Sequence, residues 1–142
     1  MKWITRERIK VDRVACPWLI KKFIDPEAEF VFLPHDTDWS SIQDGNVFDV
    51  PGCELGHHDE EVSFDAILKK YHLTDPALLL LAQIVRAADS HPTNPHPAGE
   101  GLRWIAHGFS ALGVSDHEIL AREFIVYDAL FAECQKRVRM NL

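Results

Sequence analysis

Asp12-Arg-Val-Ala-Cys-Pro-Trp-Leu-Ile-Lys-Lys-Phe-Ile24, followed after a short break by Glu29-Phe-Val-Phe-Leu33, is the stretch that decides the fold. Leu19, Ile20, Phe23 and Ile24 recur at helical spacing, so the first segment is a helix with one apolar face. Pro17 belongs in a first turn, which places the helix start between Asp12 and Cys16. The second segment is rich in aromatic and β-branched residues and stops at Pro34, as a strand should. Upstream, Trp3-Ile4 and Ile9-Lys-Val11 alternate as short strands. Downstream, Val47-Phe-Asp-Val50 forms another, ended by Pro51-Gly52. A small sheet carrying one helix is the expected N-terminal unit.

Beyond residue 62 the pattern changes to helices alone. Ser63 caps one that runs to about Tyr71, while Asp75-Pro76 supplies an N-cap and first helical residue for another reaching about Asp89. Ser90 to Ala98 holds three prolines and two histidines, which predicts a loop, and its position predicts a lid. Leu102, Ile105, Ala106 and Phe109 return to helical spacing, and Gly113 marks the next turn. Ser115 and Glu118 form a capping box for a last helix, whose apolar middle from Phe124 to Phe131 predicts central burial. The fold class is therefore α+β: a small N-terminal sheet with one helix, then a cluster of about four helices. With no internal repeat or linker, residues 1–142 read as a single domain.

Bulk composition excludes several classes. Hydrophobic residues make up 46% and charged residues 26%, an ordinary globular balance. No apolar run is long enough to span a bilayer, and the charged N-terminus lacks a secretory apolar region, so the expected location is the cytoplasm. Three cysteines without ligand spacing predict neither a disulfide framework nor a zinc knuckle. The net charge of −7 argues against a nucleic-acid surface. That charge is unevenly spread: residues 1–22 carry seven basic and two acidic side chains, a net of +5 that leaves −12 for the rest. The plainer reading is charge balance within the molecule. The sharper one is that Arg6, Arg8, Lys10 and Arg13 include one or two groups, Arg6 and Arg13 foremost, that hold an oxyanion or carboxylate ligand, because guanidinium makes bidentate contacts.

The densest chemistry lies in Phe48-Asp-Val-Pro-Gly-Cys-Glu-Leu-Gly-His-His-Asp-Glu-Glu61. Imidazole nitrogen and carboxylate oxygen bind divalent metals, and glycines let a loop turn several of them toward one point. Glu54 would face the same way as His57 in a turn, or as His58 in a strand. Asp89 falls at the end of its helix, where the negative end of the dipole disfavours a carboxylate. A metal shared with Glu54 and His57 would offset this, and so would an ion pair with Arg86 or Arg13. His91 and His96 lie close by in sequence. Cys16 sits near a helix N-terminus, where the dipole and Arg13 would favour thiolate, although burial against Trp18 is the plainer reading. Asp128 within an apolar helix calls for a partner: a metal ligand to support, or a hydrogen bond from an Arg or Trp.

Thr5-Arg6, Val11-Asp-Arg-Val-Ala-Cys-Pro-Trp-Leu-Ile20, Phe23-Ile-Asp-Pro26 and Ala28-Glu-Phe30 resemble the opening of the chromate-resistance protein family. That family includes the C-terminal domain of chromate-responsive ChrB-type regulators. The likeness continues through Phe48-Asp-Val-Pro-Gly, Glu54-Leu-Gly-His57, Ser63-Phe64, Ile84-Val85, Ala88-Asp89 and Tyr127-Asp-Ala-Leu130, nearly the whole chain. It implies a link to chromate tolerance. Some members join this domain to a DNA-binding segment that has no counterpart here, so direct DNA contact is not expected. The matching polar positions are Arg6, Asp12, Arg13, Cys16, Glu54, His57, Asp89 and Asp128.

Two classes of function follow. In one, Glu54, His57 and Asp89 hold a divalent ion (manganese, iron or zinc) while Arg6 and Arg13 orient a small anion such as chromate or a carboxylate, with Lewis-acid chemistry open to it. In the other, a non-catalytic sensor binds chromate between Arg6, Arg13 and the helix terminus near Cys16 and acts through a partner. Asp12, His58 and Asp128 complete the candidate set as supporting groups.

Overall fold

The computed structural model describes residues 1–142, and its element order follows the predicted plan. Strand β1 (Lys2–Arg6) leads into helix α1 (Asp12–Phe23) and strand β2 (Glu29–Leu33), and a third short strand, β3, covers Asn46–Val47. The sheet is parallel throughout in the order β2-β1-β3, with Ile4 opposite Val31 on one side and Val47 on the other. Ile9 to Val11 is not a strand. Asp116 accepts hydrogen bonds from the backbone N–H groups of Arg8 and Ile9, both at 3.0 Å, so this segment is a turn fastened to the last helix.

Helices α2 (Ser63–Lys70), α3 (Pro76–Asp89), α4 (Ala98–Ala111) and α5 (Asp116–Arg139) follow. Two start signals act as read: Asp75 accepts from the Ala77 N–H at 2.8 Å, and Ser115 from the Glu118 N–H at 3.2 Å. Ser63, by contrast, is the first residue of α2 and not its cap: its hydroxyl donates to Asp49, and Asp65 accepts from the Val62 N–H at 3.0 Å. Helix α1 is the central element, with Val14, Ala15, Cys16, Trp18, Leu19 and Ile20 all buried. Trp18 stacks edge-on against Phe131 of α5 with ring centroids 5.4 Å apart, and the Tyr127 hydroxyl donates to the Val11 carbonyl at 3.1 Å. These contacts lock α5 across α1 just before Asp12.

Helix α5 is not centrally buried. Ile119, Leu120, Glu123, Tyr127 and Cys134 line its inner face, while Ile125 in the apolar middle is 68% exposed. The apolar run read as a buried rod is a one-faced helix whose outer side keeps some hydrophobic residues, as soluble proteins commonly do. No helix is long and apolar enough to cross a membrane. Gly99 permits the close packing of α4 on the end of α3, since a Cβ there would lie 2.5 Å from that of Ala87. That approach sets α4 beside Asp89.

Candidate functional site

Three elements end at one point. Asp12 opens α1, Asp89 closes α3, and His57 comes from the loop between β3 and α2. The loop turns back because Asp49 adopts a left-handed conformation (φ 49°), which Asp tolerates better than most residues, and its N–H then bonds the Leu55 carbonyl at 2.9 Å. Gly56 completes the turn: a Cβ there would come within 3.1 to 3.2 Å of Cys53 and Val50 atoms. His57 is thereby aimed inward.

His57 Nε2 lies 3.3 Å from Asp12, 3.2 Å from Asp49 and 3.2 Å from Asp89. One ligand atom each from Asp12, His57 and Asp89 can be chosen so that all lie within 4.8 Å of one another. Asp12 is fully buried and held rigidly, its two oxygens accepting from the Ser63 N–H at 2.8 Å and the Phe64 N–H at 3.1 Å. These are free donors at the start of α2, which explains why a carboxylate settles there. Asp49 accepts from the Ser63 hydroxyl at 3.0 Å and faces Arg13 at 3.8 Å.

The electrostatics reflect crowding of like charge. Burial, then the Asp49 charge, pushes the Asp12 carboxyl up to about 7. Donating toward the carboxylates of Asp12, Asp49 and Asp89 pushes His57 up to about 12, so without another cation the ring is an imidazolium. A single N–H cannot bond well to three carboxylates at once.

The candidate residues divide by place. His57 and Asp89 meet, and Asp12 meets them. Glu54 does not: its side chain is 74% exposed and pairs with Lys70 at 3.4 Å, because the turn that brings His57 in points residue 54 out. His58 bonds the Glu54 carbonyl at 2.9 Å and also stays outside. Arg86 is spent on Asp65, donating to both oxygens at 2.7 and 3.2 Å, and so does not reach Asp89. Asp128 is 45% exposed, accepting from Trp18 at 2.9 Å beside Lys22 at 3.2 Å, far from a buried supporting role. Cys16 is buried and donates to Asp12 at 3.3 Å; burial, reinforced by Asp12, raises its thiol well above the usual range, the reverse of an activated thiolate.

A cavity of about 540 Å³ opens over this cluster. Arg6 and Arg13 line it as the sequence suggested, joined by Lys10 and by Arg103 and His107 from α4. The proline-rich segment is absent from the lining. Thr93 instead bonds Glu60, tying that segment to the acidic end of the histidine loop, and the far wall is α4. Reading the sequence missed Asp49, Arg103 and His107 as site residues. Of these only Asp49 had a signal in the sequence, its place within the dense Phe48–Glu61 stretch.

Comparison with known proteins agrees with the resemblance. The sequence profile described as "ChrB, C-terminal domain" matches residues 3–134. Protein ChrB of Cupriavidus metallidurans (strain ATCC 43123 / DSM 2839 / NBRC 102507 / CH34) is 33% identical over 131 residues, which is 92% of this chain and 40% of that relative. The chain thus spans well under half the length of the relative it matches. No solved structure matches it. A profile match over nearly the whole chain, joined to that identity, shows that the chain belongs to the family of the ChrB C-terminal domain.

Proposed function

We propose that this chromate-resistance family domain is a metal-dependent anion-binding protein, in which Asp12, His57 and Asp89 hold a divalent ion and Arg6 and Arg13 orient an anion against it. The observation that carries this reading is the convergence of three carboxylates on one imidazole nitrogen at 3.2 to 3.3 Å. Three acids gathered around one nitrogen repel one another, and a divalent cation relieves them better than one shared proton. With bonds of about 2.1 Å, His57 and either aspartate oxygen would subtend roughly 100° at the ion, and a mixed imidazole and carboxylate set suits manganese, iron or zinc. Asp12 would be a preorganised ligand, since backbone amides fix it before any ion arrives. His57 would bind as the neutral ring, releasing its proton on loading.

The cavity side of such an ion would remain open to a ligand. Lewis-acid activation is the chemistry the ion would supply there. The thiol-redox version of a sensor finds little support, since Cys16 is buried and its proton is engaged by Asp12.

Untagged protein from medium supplemented with manganese, iron and zinc should carry close to one divalent ion per chain by elemental analysis. His57→Ala and Asp89→Asn should each lose it. Metal contents that stay at background in the parent protein, or that do not change in either variant, would remove the basis of the proposal.

A further inference from the structure

The cationic wall extends well past the two arginines nearest the cluster. Arg6 ends β1, Lys10 and Arg13 flank the start of α1, and Arg103 and His107 come from α4. Arg13 Nε is a buried donor with no partner, although its terminal nitrogens face Asp49 and the Arg8 carbonyl. A buried unsatisfied N–H is costly, and here it belongs to a residue lining the cavity. Arg103 is tied only to Glu100 on its own helix, an exposed pair that a ligand could readily exchange.

Size and charge then narrow the ligand. A bare tetrahedral oxyanion fills roughly the volume of two waters, about 60 Å³. The cavity, at about 540 Å³, is several times larger and falls in the range of sites for small organic molecules. Its charge can be counted if the acidic wall carries a divalent ion. Asp12, Asp49 and Asp89 then retain one negative charge beside a neutral His57. Arg6, Lys10, Arg13 and Arg103, less Glu100, add three positive ones. The surplus is two positive charges, which a dianion neutralises and a monocarboxylate does not.

We propose that the cavity binds a small organic phosphate monoester, with its phosphate at Arg6 and Arg13 and its polar body reaching Arg103 and His107 of α4. The charge count rests on the metal reading above, whereas the size of the cavity and its cationic lining from both the N-terminal segment and α4 do not. A bare oxyanion would leave most of the cavity unfilled. The mostly polar lining suits a hydroxylated body better than an apolar one.

Calorimetric titration of the manganese-supplemented protein with inorganic phosphate, ribose 5-phosphate and gluconate tests this. Ribose 5-phosphate should bind about tenfold more tightly than inorganic phosphate, and gluconate more weakly than the ester. Arg103→Gln, an exposed substitution whose fold circular dichroism would verify, should erase most of that advantage. Inorganic phosphate binding as tightly as the ester, gluconate binding best, no binding by any of the three, or an advantage that survives Arg103→Gln would each overturn it. Elemental analysis of the same preparations separates the two readings. Metal present without ester preference defeats this inference alone, and ester preference without metal upholds it while defeating the metal site.

Discussion

Asp12 and Glu123 are both fully buried carboxyl groups, and burial pushes each up to about 7, yet they are wired oppositely. Asp12 accepts from two backbone amides and the Cys16 thiol and lies 3.3 Å from an imidazole. Both oxygens of Glu123, on the inner face of α5, have no hydrogen-bond partner. Low dielectric therefore means different things at the two places. At Asp12 the surroundings are arranged to keep a negative charge in use. At Glu123 nothing nearby stabilises one, and the neutral acid is the form that fits.

Replacing Asp12 is the strongest way to break this contrast. Asp12→Asn keeps the shape and one acceptor oxygen but removes the charge, and it should abolish metal retention, read by elemental analysis after dialysis. Asp12→Ala also orphans the Ser63 and Phe64 amides, and should lower stability by about 2–4 kcal/mol in urea titrations with chelator present. Metal retained in Asp12→Asn would make Asp12 a structural cap alone.

Glu123 gives the next largest effect, and its sign runs opposite to that of a paired acid. Its folded value of about 7 lies above the unfolded 4.5, so the folded state keeps a proton that the unfolded chain has released. The resulting stability is complete below pH 4.5 and drains away as pH rises through 7, by about 3 kcal/mol in all at roughly 1.4 kcal/mol per unit. Glu123→Gln cannot titrate. The stability difference between parent and variant, measured in urea at pH 4.5, 6 and 8, should therefore move in favour of the variant with rising pH. A difference that stays constant across the series would mean Glu123 meets a partner or water when folded.

Local chemistry was legible in the sequence, and three-dimensional convergence was only half so. The caps at Asp75 and Ser115, the strand at Glu29–Leu33 and the α+β order all depend on neighbours in the chain, and each formed where expected. The dipole argument singled out Asp89 as needing a cation, and His57 stands there. Asp12 was legible as polar but not as the innermost group, because its burial depends on the start of α2, fifty-one residues away. Arg103 and His107 carried no signal of their own, since Gly99 and α3 decide which way α4 faces. For Cys16 the plainer reading, burial against Trp18, is the one the structure bears out. The thiolate alternative falls away because a helix terminus lowers a thiol only where solvent or cations can receive the charge, whereas this one is sealed beside an aspartate.

The smallest effect is the sharpest check on the histidine loop itself. Glu54 and His57 are three residues apart, and the turn through Gly56 sends one to solvent and the other into the cluster. Glu54→Ala breaks only an exposed contact with Lys70, of a kind worth about 0–1 kcal/mol. Its urea midpoint should match that of the parent within error, and its metal content should be unchanged, while His57→Ala loses the ion. If Glu54→Ala instead sheds metal as fully as His57→Ala does, the loop must rearrange on loading so that residue 54 swings inward, and the division between its two faces would hold for the metal-free protein alone.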